Sequence, residues 1–476
     1  MGTRSDSLVG RLKQGRGEVH GLVTKVVSIV LWLAVWQAAS VLVGSRLLLA
    51  SPLDTAVRLV QLICSPAFLA TVWFSLVRIM GGFLTAYLAA VGLAIVAHRW
   101  PLVGELFAPA VHALKTVPIA CVIVLLLMWV GSSAVSGPAV FLAIFPAVYF
   151  SCAEGLVNVD PKLTELFEVF GVRRPVQLLA HVWPSILPYL VGTSKNVCGM
   201  AWKAGVAAEL IGSPMGSIGE RIYQSKVLLE TADLFAWTIV IVALSALCEH
   251  AFVALLAHSG SLTQSWSLRL ARNLRVEHAG NDLVPSSIVL CDASIGYEGV
   301  VVARDVNVDK GPGSRTVLAD VSGAGKTTLL RTIAGLQPLL AGDALMRPPT
   351  LTIVFQDTRL VEQMSAVQNV CLVAGGQRSE DEVRAELGEL LPGEVLDTPV
   401  CELSGGQRRR VEIVRALICP SAAVVLDEPF SSLDGAAHEA SAAYVVRRLD
   451  GRTLLVASHA TEDAELLGAD RMCLFG

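Results

Sequence analysis

Three short strings in this chain bring together residue types suited to phosphate chemistry. RTVLADVSGAGKTTLLRT (315–332) places an apolar run ahead of a glycine-containing turn and a helical pattern. In that strand–turn–helix setting, loop amides and the first helical turn point at an anion. Ser322, Gly323, Gly325 and Thr328 belong to the turn, Lys326 would reach the terminal phosphates of a nucleotide, and Thr327 would ligate Mg²⁺. AAVVLDEP (422–429) is an apolar run ending in two acids, so a buried strand would deliver Asp427 to the Mg²⁺ shell and Glu428 to an attacking water. LSGGQRRR (403–410) opens a helix at Ser404, Gly405, Gly406 and Gln407, whose free amides form a second anion site. The pattern departs from expectation at Asp320, where the phosphate loop asks for glycine.

These strings require a strand-rich domain to hold them, and the chain changes texture where one would begin. Residues 288–476 alternate short apolar runs with polar turns, whereas residues 1–258 are built of long apolar stretches. Between them, 259–287 is polar, basic in its middle and ends in a proline–serine cluster, which predicts a cytoplasmic linker. With 476 residues, 53% hydrophobic and 16% charged, the chain is too apolar for an ordinary soluble protein. Six runs, near 26–45, 73–97, 107–130, 139–157, 186–212 and 235–257, approach the ~20 residues that cross a bilayer as helix.

Charge supplies the orientation. Arg4, Arg11, Lys13, Arg16 and Lys25 precede the first run and would stay on the cytoplasmic side; six crossings then leave His98, Arg99, Lys162, Arg173, Arg174 and the whole second domain inside. The net charge of −4 gives no global signal for nucleic acid. Ten scattered cysteines without a CxxC pair argue against a disulfide framework or a zinc site.

Taken together, the strings at 315–332, 403–410 and 422–429 make residues 288–476 resemble the nucleotide-binding domain of ATP-binding cassette (ABC) transporters, an α/β P-loop ATPase whose signature is LSGGQ. The resemblance implies further roles. Tyr297 would stack on adenine, and Gln356 in IVFQD would sense γ-phosphate and join the Mg²⁺ shell. Asp434 would close the D-loop SSLD, and His459 in LLVASHA would be the switch histidine contacting γ-phosphate. It also implies a homodimer with ATP held between the phosphate loop of one copy and Ser404 and Gly406 of the other. Asp320 would weaken ATP binding and leave hydrolysis intact; a poorly active, regulatory ATPase is the alternative.

Residues 1–258 resemble the permeases for nitrate, taurine and aliphatic sulfonates, on LLLASPLDTAVRLV (47–60) and AWKAGVAAELIGSPMGSIGERIYQSK (201–226). The segment 161–188 resembles the coupling loop of binding-protein-dependent importers. Its acid-to-glycine stretch is here Glu165 to Gly171, with Leu166 and Phe167 where that motif has alanines. The fold class expected is therefore an all-α polytopic membrane domain of about six transmembrane helices followed by the α/β ATPase. The resemblance implies ATP-driven import across the cytoplasmic membrane with an extracytoplasmic binding protein, the solute open among nitrate, taurine, another sulfonate and a pyrimidine vitamin precursor. An exporter half-transporter shares the domain order. Lys195, Lys203 and Glu209 in the fifth run are ionisable groups that a bilayer discourages, and either line a pathway or form an internal ion pair.

Overall fold

The computed structural model of the chain describes residues 24, 26–45, 47–273, 284–297, 299–320 and 323–473. Arg4, Arg11, Lys13, Arg16 and Lys25 lie outside the described residues, as do Ser322 of the phosphate loop and positions 274–283 of the expected linker. Two compact units emerge, one of residues 1–157 and 188–256, the other of 158–187 and 257–476.

Helices in chain order are α1 (Val26–Val43), α2 (Pro52–Ile63), α3 (Phe68–Arg99), α4 (Pro101–Thr116), α5 (Ile119–Val130) and α6 (Ser136–Val157). They continue with α7 (Pro161–Val169), α8 (Arg174–Gln177), α9 (Trp183–Gly212), α10 (Ile218–Val227) and α11 (Thr231–Asn273). Four of them, α1, α3, α6 and α11, are long and apolar enough to cross a membrane, and the pair α4–α5 makes a fifth span if taken as one. The run expected as a single third span is bent by 106° between α4 and α5. Pro118 caps the second piece; it brings no N–H to an unbroken helix and drives Val117 to extended angles. The run expected as the fifth span is the 30-residue α9, whose Lys195, Lys203 and Glu209 keep it below the apolar content of the others. α11 continues as helix to Asn273, through the first half of the stretch expected as linker.

Small residues allow the membrane unit to pack tightly. A Cβ on Gly82 of α3 would stand 2.4 Å from the carbonyl oxygen of Gly137 in α6, and one on Gly205 of α9 would stand 2.5 Å from Ile79 Cγ1. Glu209 is fully buried, and its Oε2 accepts from Ser75 Oγ at 2.7 Å and from the Gly219 amide at 3.3 Å. Ser75 Oγ in turn accepts from the Ile218 amide at 2.9 Å. This carboxylate ties α3, α9 and the start of α10 together, which is a structural duty rather than a place on a pathway.

The second unit holds two sheets. A three-stranded antiparallel sheet has the order β2–β1–β4, with β1 Ile288–Tyr297, β2 Val300–Lys310 and β4 Ala341–Met346. A five-stranded parallel sheet has the order β5–β6–β7–β3–β8, from β3 Arg315–Leu318, β5 Leu351–Val354, β6 Ala423–Asp427, β7 Thr453–Ala457 and β8 Asp470–Met472. Strands β5, β6 and β7 are buried at every position, as expected of parallel strands covered on both faces. The helices between them are α12 (Lys326–Ile333), α13 (Ala366–Ala374), α14 (Glu380–Gly388), α15 (Gly405–Ile418), α16 (Gly435–Arg448) and α17 (Glu462–Leu467). Leu163, Leu166 and Phe167 of α7 belong to the same hydrophobic core as these strands and helices.

Candidate functional site

The adjacent central strands β6, β7 and β3 end at one edge of the parallel sheet, and the chemistry-bearing residues follow them. After β3, Gly323 and Gly325 adopt positive φ (+85° and +90°), which turns the chain sharply into α12. Lys326 is buried at the first position of α12; its ammonium donates to the Asp320 carbonyl oxygen and lies 3.4 Å from His459 Nδ1. Asp320 itself is not among the non-glycine residues with positive φ, so its backbone conformation makes no demand for glycine.

Asp427, the last residue of β6, is 3% exposed. Burial pushes its carboxyl up to about 6, with the hydrogen bond from Thr327 pulling down and the neighbouring Glu428 pushing further up. Glu428 has φ +47°, a conformation that costs an ordinary residue roughly 1–2 kcal/mol, and its amide donates to the Ala457 carbonyl at 2.9 Å. That turn sets Glu428 Oε1 3.2 Å from His459 Nε2. An imidazole accepting at Nδ1 from the Lys326 ammonium carries its proton on Nε2, the nitrogen that faces Glu428. Lys326, Thr327, Asp427, Glu428 and His459 thus form one cluster, although they come from three separate stretches of sequence.

The other expected residues stand apart from that cluster. Ser404 caps α15, its hydroxyl accepting from the Gln407 amide at 3.3 Å while the Gln407 side chain accepts from the Ser404 amide at 2.9 Å. Gly405 is exposed in the first turn, and a Cβ on Gly406 would stand 3.1 Å from the Ser432 carbonyl oxygen. Asp434 caps α16 by accepting from Ala437 N at 2.9 Å. Tyr297 is 52% exposed at the end of β1, Thr328 is half-buried in α12, and Gln356 is exposed just beyond β5. Hydrogen bonds of Ser404, Gln407 and Asp434 are spent on their own helix ends, leaving both faces open.

Thr327 and Asp427 offer an oxygen-only pair of the kind that suits Mg²⁺, and a carboxyl that burial pushes upward is one that a cation would stabilise. Gln356 makes no hydrogen bond to either. No cluster of three or more His, Cys, Asp or Glu side chains able to hold a metal occurs among the described residues.

Next to Gln356 lies the segment around Glu165. Glu165 accepts from Arg331 Nη2 at 2.7 Å and from Arg359 Nη1 at 2.7 Å, and Lys162 pairs with Asp357 at 2.6 Å. Partial burial would raise the Glu165 carboxyl, but the two guanidiniums prevail and hold it below the ordinary carboxylate range. Together with Gln356 these residues line a cleft of 500 Å³. Leu166 and Phe167, the departures from the importer motif, are each 1% exposed in the ATPase core, so each anchors the helix by on the order of 2 kcal/mol.

Arg359 connects this helix to the interior. Its amide donates to Glu412 Oε1 at 2.7 Å, and its carbonyl accepts from Arg415 at 2.6 Å. Glu412 also pairs with Arg409 at 3.1 Å, and Arg409 donates to the carbonyls of Phe355 and Gln356. Sequence reasoning found Glu165 but missed Arg331, Arg359 and the buried set on α15. The one available signal was a run of arginines and a glutamate, RRRVEIVR, on a helix too apolar to be fully exposed.

Comparison with known proteins gives two family matches. Residues 82–259 match the model of the binding-protein-dependent transport system inner membrane component, and residues 303–431 that of the ABC transporter. A Bacillus subtilis (strain 168) protein, SsuC, named as an aliphatic sulfonates transport permease, is 31% identical over 253 residues, covering 52% of this chain and 89% of its own length. An aliphatic sulfonates import ATP-binding protein of Pseudomonas fluorescens, SsuB 1, is 37% identical over 94 residues, covering 20% of this chain and 36% of its own length, so that the chain spans about a third of this ATP-binding relative. Among solved structures, the bacterial ABC transporter cassette MJ0796 aligns with a TM-score of 0.36 at 23% identity, covering 39% of this chain and 94% of that one.

Proposed function

We propose that this chain, which belongs to the binding-protein-dependent ABC transporters and joins a permease to an ATPase, imports a small organic anion of the sulfonate class. The observation that carries this reading is α7. A helix between two long apolar helices buries Leu166 and Phe167 in the ATPase core and ion-pairs Glu165 with Arg331 and Arg359, so an ATPase movement reaches the permease directly. The names of SsuC and SsuB support the sulfonate class.

The working unit is two copies. The Lys326 loop and the Ser404 end of α15 present anion-binding surfaces that do not bond to each other among the described residues, so a triphosphate bound between two chains engages both. The loop Ser322–Thr328 holds the phosphates, with Tyr297 against the base and Ser404, Gly405, Gly406, Gln407 and Asp434 closing from the partner side. Lys326 stabilises the charge of the departing phosphoryl group, and Glu428, held by its backbone turn and by His459, orients the attacking water. Thr327 and Asp427, with Gln356 swung inward, would hold Mg²⁺, which when bound neutralises charge on the phosphate oxygens. Closure pulls on α7 through Arg359 and opens the permease to an extracytoplasmic binding protein. Domains of 1–258 and 288–476, a multi-pass placement in the cytoplasmic membrane and an ATPase on the cytoplasmic side complete the proposal, with Arg99, Lys162, Arg173 and Arg174 retained inside.

Reconstitution with an alkanesulfonate-binding protein tests it. ATP-dependent accumulation of the sulfonate is expected, and Glu428→Gln lowers turnover by roughly 10²–10⁴-fold while trapping an ATP-bound dimer. Full hydrolysis by isolated monomers, or ordinary turnover in Glu428→Gln, would refute the assignment.

A further inference from the structure

The membrane unit contains a cavity of 780 Å³, inside the range of about 300–1,000 Å³ usual for small-molecule sites. Its lining mixes polar side chains, Lys115, Ser151, Glu154, Thr193 and Lys203, with apolar ones, Val122, Leu142, Pro146, Phe150 and Met200. The hydroxyls are ordered: Thr193 donates to Ser151 at 2.7 Å, and Ser151 donates to the Tyr189 carbonyl at 3.0 Å.

Both lysines lie where an ammonium needs a reason to be. Lys203 sits nine residues before the end of α9 at Gly212, about 13 Å along the helix axis, and is exposed to the cavity side of its helix among buried neighbours Trp202 and Ala204. Lys115 ends α4 at the bend before Pro118, its ammonium 5.6 Å from the Phe150 ring centroid. Among the described residues neither lysine makes an ion pair, which removes the internal pair that the sequence left open for Lys203. Glu154 also lines the cavity but has a partner of its own, so two cations face one carboxylate.

We propose that this cavity is the membrane-embedded station of the transported anion, with Lys115 and Lys203 holding an oxyanion head and Val122, Leu142 and Met200 receiving a short aliphatic tail. It rests on the import reading and deepens it by assigning solute contacts. A head of three equivalent oxygens shares its charge between two ammoniums, and the Thr193 hydroxyl can exchange its bond to Ser151 for one to the third oxygen. An anionic lipid headgroup with its acyl tail offers the same chemistry, so the source must be separated by experiment.

The full chain in phosphatidylcholine nanodiscs, without binding protein, is methylated at its lysines and analysed by mass spectrometry. Lys195, exposed on α9 and outside the cavity lining, is the internal standard. Butanesulfonate is expected to slow modification of Lys115 and Lys203 severalfold, and butylammonium and butan-1-ol to leave it unchanged. Equal rates with and without butanesulfonate, or protection seen only with phosphatidylglycerol, overturn the proposal. In proteoliposomes supplied with an alkanesulfonate-binding protein, Lys203→Met raises half-saturation for butanesulfonate by at least about tenfold, and Lys203→Arg restores most of the loss. Unaltered uptake in Lys203→Met overturns the cavity assignment while import stands; a wild-type chain that accumulates no alkanesulfonate overturns import, and the cavity assignment falls with it.

Discussion

The ATPase unit and the membrane unit treat charge in opposite ways. In the first, Arg409 and Arg415 pair with Glu412, whose carboxylate also accepts from the Arg359 amide, while the Arg359 guanidinium pairs with Glu165; all three arginine side chains are no more than 4% exposed, and Arg409 and Arg415 also donate to the carbonyls of Phe355, Gln356 and Arg359. In the second, Lys115 and Lys203 stand exposed with no counter-ion among the described residues, and a lysine at the centre of a membrane-spanning helix costs roughly 2.5–3.5 kcal/mol unless it meets water or an anion. A charge whose partner is built into the fold fixes shape. A charge whose partner is missing from the fold marks where something arrives.

The comparison can be broken most decisively at Glu412. Glu412→Ala leaves the buried guanidiniums of Arg409 and Arg415 without their carboxylate and the Arg359 amide without its acceptor, and is expected to cost roughly 3–5 kcal/mol, seen as a lower melting temperature of the ATPase domain in the full chain. An unchanged melting temperature would mean that this set has no more structural weight than the unpaired lysines.

Glu165→Ala comes next. Losing two charge-assisted bonds, one from an Arg359 that is 4% exposed, is expected to cost roughly 2–3 kcal/mol of docking, read as fewer solute molecules moved per ATP hydrolysed. Because the folded carboxyl is held below its ordinary value, this contribution is complete above that value and is lost as pH falls through the depressed one, so it persists across neutral pH. Coupling that weakens near pH 7 in the wild type would argue against Glu165 as the controlling group.

The smallest effect is expected at Asp320. A carboxylate ~8 Å from a phosphate at an effective dielectric of ~20 costs roughly 2 kcal/mol, part of which Lys326 offsets, so Asp320→Gly should tighten ATP binding by up to about thirtyfold. Equal affinity in an equilibrium nucleotide titration would show that the carboxylate is turned away from the phosphates.

What could be read from the sequence follows the range of the interactions. The Lys326 turn, the Asp427–Glu428 strand end and the Ser404 cap are each made within a dozen residues, and each forms as its spacing implies. Glu165 meets Arg331 and Arg359 across separations of 166 and 194 residues, and no periodicity carries that information. Leu166 and Phe167 looked like a weakening of the coupling motif, yet they are its anchor, because burial depends on what faces a helix. The break at Pro118 was visible as a residue but was outweighed by the surrounding apolar run, and α11 outlasts its apolar stretch to Asn273 because Leu268, Leu270 and Ala271 of its polar end pack into the ATPase core, a contact that propensity does not foretell.

The contact of Gly82 with Gly137 has a mechanical consequence. At Gly82 there is no room for even a methyl against the Gly137 main chain, so α3 and α6 approach there as closely as packing density allows. Any alanine at position 82 would therefore have to push the two helices apart.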